Sequence, residues 1–335
     1  MATAHAEASS HVPIQGADHE LPMARAPERT LMKKPLPVLV SSLLLASFVG
    51  AQSPRGSAYH GPRGAVEASA TQAPEDSVSG NWGIDFATAY FFRGLRLENQ
   101  GLIAQPHLEL DYTLTSGGDT VRSVDVIAGV WNSLHGGPTG ASGGNQAWFE
   151  SDFYWGLGVG LGEKWSASAT YAYYTSPNAS FTTAEEAVFA LSYNDAGVWG
   201  EGFSGLQPAV TVGVELKGQQ DAGAERGLYG QLAIEPSFGL GKTGDYDWTL
   251  AVPVALGLSL GDYYENIAGD GEDSTFGFLD VGAALSTPLP CVASRFGPWT
   301  MTVSLHALLL GDTTEAFNSG EDLEWIGALG FSTTF

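Results

Sequence analysis

One cysteine, Cys291, is all the chain carries in 335 residues. No intrachain disulfide and no cysteine-clustered metal site can form from it. Basic residues are scarce too: 14 Lys and Arg stand against 37 Asp and Glu, a formal net charge of −23. Such a chain repels phosphate, which excludes nucleic acid as a partner. Charged residues of both signs reach only 15%, against about 25% in soluble domains. Long apolar runs are missing beyond the N-terminal region, so helices of about 20 residues that span a membrane have no sequence to form from. Glycine and aromatics are plentiful instead, with 44 Gly and 11% Phe, Trp and Tyr. That aromatic load excludes an acidic disordered chain.

Residues 1–31 show no apolar period, and the character changes at Met32. Lys33 and Lys34 supply a positive start, Leu36 to Phe48 an apolar stretch, and Val49-Gly50-Ala51 a small-residue cleavage site. This is the pattern of a secretory signal peptide over 32–51. The competing reading, a membrane anchor, asks for a longer run, and Ser41, Ser42 and Ser47 interrupt this one. The segment 1–31 then reads as an upstream leader or a misplaced start. No cysteine follows the cleavage site, so lipoprotein processing is not expected. Residues 52–80, rich in Gly, Pro, Ser and Ala, read as a flexible periplasmic linker, and 81–335 as one domain.

That domain alternates apolar and polar residues in segments of about ten. Leu102, Ala104, Pro106, Leu108, Leu110, Tyr112 and Leu114 share one face, while Ile103, Gln105, His107, Glu109, Asp111 and Thr113 share the other. Only a strand separates two such sets completely. The spacing predicts about twelve strands, near 82–93, 102–114, 121–132, 147–161, 165–176, 184–194, 206–217, 227–238, 247–259, 275–286, 298–310 and 323–335. Connections after odd strands are long and most after even strands are short. Barrels that cross membranes alternate their loops this way. The fold class expected is all-β: a closed antiparallel transmembrane β-barrel of about 12 strands in up-and-down order.

A soluble sandwich would turn its apolar face to a shared core, whereas a membrane barrel turns it to lipid between aromatic girdles. Trp82, Trp165, Trp248 and Trp299 open the rising strands on their apolar faces, and the last strand ends on Phe335 at the same level. Together they predict one aromatic girdle. Tyr90, Phe92, Phe149, Tyr173 and Trp325 sit near the opposite strand ends and predict a second ring. At about 3.3 Å per residue and a tilt of ~40°, the steps from Trp82 to Phe92 rise about 25 Å, the height of the apolar band. The terminal Phe335 on an amphipathic last strand resembles the sorting signature that the barrel-assembly machinery of Gram-negative bacteria reads.

The stretch GIDFATAYFFRGLRLENQGLIAQPHLELDY, continued by VDVIAGVWNSL and YWGLGVGLGEKWSASATYAYYTSPN, resembles the TorF-like porins of bacterial outer membranes. The likeness spans most of 81–335, with an FRG turn in the first hairpin. Ser176-Pro177-Asn178 stands where that family has a Tyr-Pro-Gly-like step. The resemblance implies a barrel and a channel in the cell outer membrane. It implies no particular solute and no catalytic residues.

With the apolar face outside, the other face lines the interior. By phase it holds Asp85, Arg93, Gln105, His107, Glu109, Asp111, Asp125, Glu150, Asp152, Tyr154, Gln207, Thr211, Glu215, Tyr229, Gln231, Glu235, Asp280, His306 and Glu324. Acids dominate, and unpaired acids buried in protein are costly, so the expected lumen holds water and counter-ions and a plugged, dry barrel is disfavoured. Twelve strands at ~4.8 Å spacing and ~40° tilt give a backbone radius of roughly 12 Å. The function expected is passive diffusion of small solutes through a weakly cation-selective pore. The expected partners are outer-membrane lipid, the assembly machinery at Phe335 and small solutes, with no cofactor and no metal.

Two other classes remain: a non-conducting structural or adhesive barrel, and an outer-membrane hydrolase. For the hydrolase, Ser304 and His306 share a face two residues apart, as a nucleophile and base could. His107 with Glu109 and Asp111 lacks a second histidine for a metal. The loop 262–273, with Asp270, Glu272 and Asp273, lacks the full spacing of a calcium loop. The Gly-rich loop from His135 to Asn145 reads as an outer loop or as an inward constriction.

Overall fold

Strict alternation leaves a strand with one apolar and one polar face, and a sheet of such strands is stable only when the apolar face is kept from water. The computed structural model describes residues 78–200, 203–219, 225–265, 273–292 and 297–335. The signal peptide, the leader and the linker up to residue 77 lie outside the described residues. The first half of the chain forms β1 (Val78–Ala87), β2 (Tyr90–Phe92), β3 (Leu95–Glu98), β4 (Ile103–Ser116), β5 (Val121–His135), β6 (Trp148–Leu161), β7 (Trp165–Thr175) and β8 (Ala184–Tyr193). The second half forms β9 (Ala209–Lys217), β10 (Leu228–Ile234), β11 (Ser237–Thr243), β12 (Tyr246–Ala251), β13 (Val254–Gly261), β14 (Phe276–Pro288), β15 (Trp299–Leu310) and β16 (Leu323–Thr334). A short helix, α1 (Asp312–Phe317), precedes the last strand.

Antiparallel pairing runs β1, β4, β5, β6, β7, β8, β9, β10, β13, β14, β15, β16, and β16 returns to β1 through Asn81↔Thr334 to Ala87↔Ala328. The result is a closed twelve-stranded up-and-down barrel. Two wall strands are interrupted. β10 continues as β11 past Glu235-Pro236, and β12 continues as β13 past Val252-Pro253. Proline has no N–H for the ladder, yet the carbonyls there still pair, Val252 N donating to Pro236 O at 2.9 Å and Gly282 N to Pro253 O at 2.8 Å.

All twelve expected strands are present, with shifted ends. The first begins at Val78, three residues into the expected linker, and stops at Ala87 rather than near residue 93. Residues 90–98 are not wall but a separate hairpin, β2–β3. That is the main correction to the expected strand map.

The faces divide as alternation requires. Leu110, Leu114, Phe153, Trp155, Leu157, Phe189, Leu191, Leu232, Val303 and Leu305 are exposed on the outside. Asp85, Gln105, His107, Glu109, Glu150, Asp152, Glu186, Glu215 and His306 are buried on the inside. At the end that carries both termini, Trp82 and Phe335 are 43% and 58% exposed. Trp82 meets Trp299 edge-on at 4.7 Å, and Trp165 meets Tyr193 at the same distance. Thr333 pairs with both Trp82 and Trp299 in register and is buried between them.

Glycine makes room inside. A Cβ at Gly129 would strike the Tyr154 ring, and one at Gly257 the Phe278 ring. Inward aromatics lie flat over these backbone gaps, which fills a wall that bulky residues alone would overcrowd. At the terminal end, Asp195 ties the connection between β8 and β9. It accepts from Leu206 N at 2.9 Å, Gln207 N at 2.8 Å and Trp199 Nε1 at 2.6 Å. Burial pushes this carboxyl up, but the Gln207, Trp199 and Leu206 hydrogen bonds outweigh it and hold its pKa below the ordinary value.

Two outcomes follow. Gly129→Ala forces Tyr154 off its site and costs about 1–3 kcal/mol, read as a lower urea midpoint for folding in vesicles; an unchanged midpoint contradicts the packing. Asp195 contributes stability above its unfolded pKa of about 3.9, lost as pH falls through its lower folded value. Asp195→Asn therefore removes part of the acid-limb slope of stability, and an identical acid limb in the variant would refute it.

Candidate functional site: the barrel interior and its inward hairpin

β1 ends where Thr88 brackets Gly327, its N–H donating to Gly327 O and its hydroxyl accepting from Gly327 N, both at 2.9 Å. The chain then turns inward. Phe92 pairs with Leu95 across a two-residue turn whose residues both have positive φ, 47° at Arg93 and 87° at Gly94. This is the turn that matches strand twist, and its first position is ordinarily Asn, Asp or Gly. An arginine there carries the strain of the left-handed region, so its side chain must supply compensation.

The hairpin folds inward because its side chains are apolar on both faces. Tyr90, Phe92, Leu95 and Leu97 pack with Ile127, Trp131, Phe149, Tyr174 and Phe181 from β5 to β8. Phe91 packs into a second cluster with Tyr229, Tyr263, Phe278, Leu308 and Leu310. Each such side chain contributes roughly 1.5–3 kcal/mol when withdrawn from water. The expected second aromatic ring is corrected accordingly: Phe92, Phe149 and Tyr90 are 1%, 2% and 6% exposed inside the barrel. Of that set, Trp325 is exposed and Tyr173 half-buried.

Polar contacts fix the hairpin at three points. At its tip, Arg93 donates to both Glu186 oxygens at 2.8 and 2.9 Å and to Tyr263 Oη at 2.7 Å. Its guanidinium lies 3.9 Å from the centre of the Tyr229 ring. Tyr264 Oη donates to Arg93 O at 3.0 Å, and Tyr174 Oη to Glu186 at 2.9 Å. Beside the tip, Arg96 pairs with Glu324, and Asn318 beyond α1 accepts from Arg96 N and donates to Gly94 O, both at 2.7 Å. At the base, Glu98 accepts from Asn99 N, Gln100 N, Thr139 N and Thr139 Oγ1 at 2.8–3.0 Å. The loop from His135 to Asn145 thereby packs on the hairpin base, with His135 stacked on Phe149 at 4.3 Å.

The remaining sequence-derived site residues line the wall around and beyond this hairpin. Glu150 accepts from Tyr90 Oη at 3.0 Å, and Glu109 from Tyr154 Oη at 2.5 Å. Asp85 lies 3.7 Å from His107, and Asp280 lies 3.0 Å from His306 Nδ1. Gln105 donates to Ser133 at 3.4 Å, and Asp125 accepts from Thr113 and Ser123. Glu215 accepts from Gly227 N at 2.7 Å, and Gln231 from Tyr229 Oη at 2.7 Å. Asp152 is buried on the inner face, whereas Asp111 and Glu235 are half-buried there. Gln207 leaves the wall, in a left-handed turn beside Asp195.

Three points differ from expectation. Arg93 stands at the tip of the hairpin instead of on the wall. Toward the end opposite the termini the hairpin fills the interior, against the expectation that a plugged, dry barrel is disfavoured. Glu186, the partner of Arg93, was missed because Glu185 and Glu186 are adjacent, and phase alone did not say which faces inward. Glu185 faces outward, paired with Lys217 at 2.8 Å.

Ser304 Oγ and His306 Nε2 have no hydrogen-bond partner among the described residues, so the two are not engaged with each other. Asp270 and Glu272 of the acidic loop lie outside the described residues; Asp273 accepts from Ser259 Oγ at 2.7 Å. Among the described residues no group of three or more His, Cys, Asp or Glu could hold a metal ion.

No protein-family model matches the chain, and neither does any curated protein sequence. Among solved structures it is similar to the NanC porin, with 11% identity, 75% of this chain and 98% of that one covered, and a TM-score of 0.38. An outer-membrane channel from Pseudomonas putida F1 gives 9%, 79%, 100% and 0.40 for the same quantities. The translocator domain of the autotransporter NalP from Neisseria meningitidis gives 13%, 78%, 89% and 0.33. The barrel assignment rests on the strand pairing of this chain itself.

Glu98→Ala removes at once the acceptor of four hydrogen bonds. It should free the 136–147 connection to added protease and cost about 1–3 kcal/mol of stability; a loop as resistant as in the parent would contradict the role given to Glu98.

Proposed function

We infer that the chain is an outer-membrane barrel that admits small solutes by passive diffusion and favours cations. The carrying observation is the inverted distribution of side chains on a closed barrel, apolar outside and acidic inside. An exposed apolar belt of this extent suits acyl chains rather than water, and the pairing of β16 with β1 closes the wall, the condition for β structure in lipid. The N-terminal pattern expected to be an export signal, the Trp row, the terminal Phe335 and the resemblance to TorF-like porins support the same location. In this reading the partners are bilayer lipid, the barrel-assembly machinery acting on Phe335, and the solute itself.

The selectivity follows from charge. The inner wall carries the half-buried Asp111, Asp125, Glu235 and Asp280 and the buried Asp85 and Glu109, beside His107 and His306. Fixed carboxylates draw cations into a narrow bore and raise the barrier to anions. The filled end favours one competing reading, a non-conducting structural barrel. Among the described residues Ser304 Oγ and His306 Nε2 are not hydrogen-bonded to each other, as a hydrolase pair would be.

Planar-bilayer recording under a KCl gradient decides between these readings. The reversal potential should have cation sign and move toward zero in the Asp111→Asn/Asp125→Asn variant. An anion sign refutes the selectivity; absence of conductance, with the hairpin both seated and removed, supports the structural barrel.

A further inference from the structure

We propose that the Arg93–Glu186 ion pair is a latch that holds the β2–β3 hairpin in the barrel as a closed gate, and that its release opens the bore. This rests on the channel reading above and names the regulation of that same passage.

The pair has a built seat. Both side chains are 0% exposed and joined by two parallel hydrogen bonds. Gly213 faces them from β9, and any Cβ there would collide with Glu186 Oε1. Tyr174 and Tyr263 complete the seat, and Tyr229 lies under the guanidinium. Arginine at the strained first turn position is explained by this contact: the tip of the hairpin carries the charge that the wall receives.

The seated state is stable and also opposed. Two apolar clusters hold the hairpin in. Against them, two full charges are withdrawn from water, and Arg93 Nε, Thr211 Oγ1 and Gln231 Nε2 are buried without a hydrogen-bond partner among the described residues. Each of these groups regains water once the hairpin leaves. Opposed terms of this kind make two discrete states, seated and withdrawn, where a uniformly apolar plug would make one. The ion pair decides between them because breaking only one partner leaves a lone charge in a dry site. Glu186 and Glu215 also face the bore from adjacent strands. Release of Arg93 therefore adds an unpaired carboxylate to the lining at the moment the passage opens.

The test uses the full exported chain in lipid, with Cys291→Ser and a reporter Leu95→Cys on the hairpin, and two readouts. One is the rate of labelling by a membrane-impermeant maleimide; the other is single-channel conductance. Glu186→Gln should speed labelling by at least roughly 100-fold, the lower end of the factor implied by stranding one charge of a buried pair, and raise the open fraction. The Arg93→Gln/Glu186→Gln double variant strands no charge and should label more slowly than Glu186→Gln alone. Faster labelling without conductance keeps the latch and refutes the channel. Parent-like labelling in folded Glu186→Gln, judged by heat-modifiable migration, overturns the latch, as does a double variant that labels faster than the single one. If Glu186→Gln does not fold, Tyr263→Phe removes one acceptor of Arg93 and should speed labelling several-fold; parent-like labelling there overturns the latch as well.

Discussion

The ladder between the first and last strands is the contact on which the rest depends. Pairing of β1 with β16 over Asn81↔Thr334 to Ala87↔Ala328 removes both free edges of the sheet. Once the edges are gone, every wall residue has only two directions to face. The alternating sequence then assigns each side chain without further choice, because a slip of one residue would turn the whole apolar set inward. The same closure encloses a volume whose filling becomes a separate problem.

That problem has two solutions along the barrel. Toward the terminal end, the β6 and β7 walls present Gly156, Gly158, Gly160, Ser166, Ser168 and Thr170 inward, small residues that leave space. Toward the other end, the hairpin supplies the volume. Its apolar faces pack with the wall in two clusters, and its tip arginine meets a wall carboxylate. The strong acidity of the chain and the single basic tip are complementary parts of one arrangement. Elsewhere carboxylates accept from tyrosine hydroxyls, as Glu109 does from Tyr154.

The wall was legible in the sequence because period two is a local signal, and each of the twelve strands carries it. Even the interrupted strands around Pro236 and Pro253 kept their phase. The hairpin was not legible for a physical reason. Residues 82–93 continue the alternation without a break, so nothing in Tyr90 or Phe92 distinguishes a lipid-facing aromatic from one folded into a barrel. The positive φ at Arg93 and Gly94 was visible only as an Arg-Gly pair, a weaker turn signal than Asn-Gly. Burial of Arg93 by Glu186 joins residues 93 apart, a distance over which sequence phase carries no information. Most acids of the wall were placed by phase alone, whereas their hydroxyl partners depend on register between strands.

The account stands on the claim that the apolar face meets acyl chains. Tryptophan emission in vesicles of lipids brominated at chosen depths measures this directly. With the proposed girdle of Trp82, Trp165, Trp248 and Trp299 at one headgroup boundary, shallow bromines should quench strongly and aqueous iodide weakly. A chain that stays soluble without detergent, with emission untouched by bromine at any depth, would contradict it.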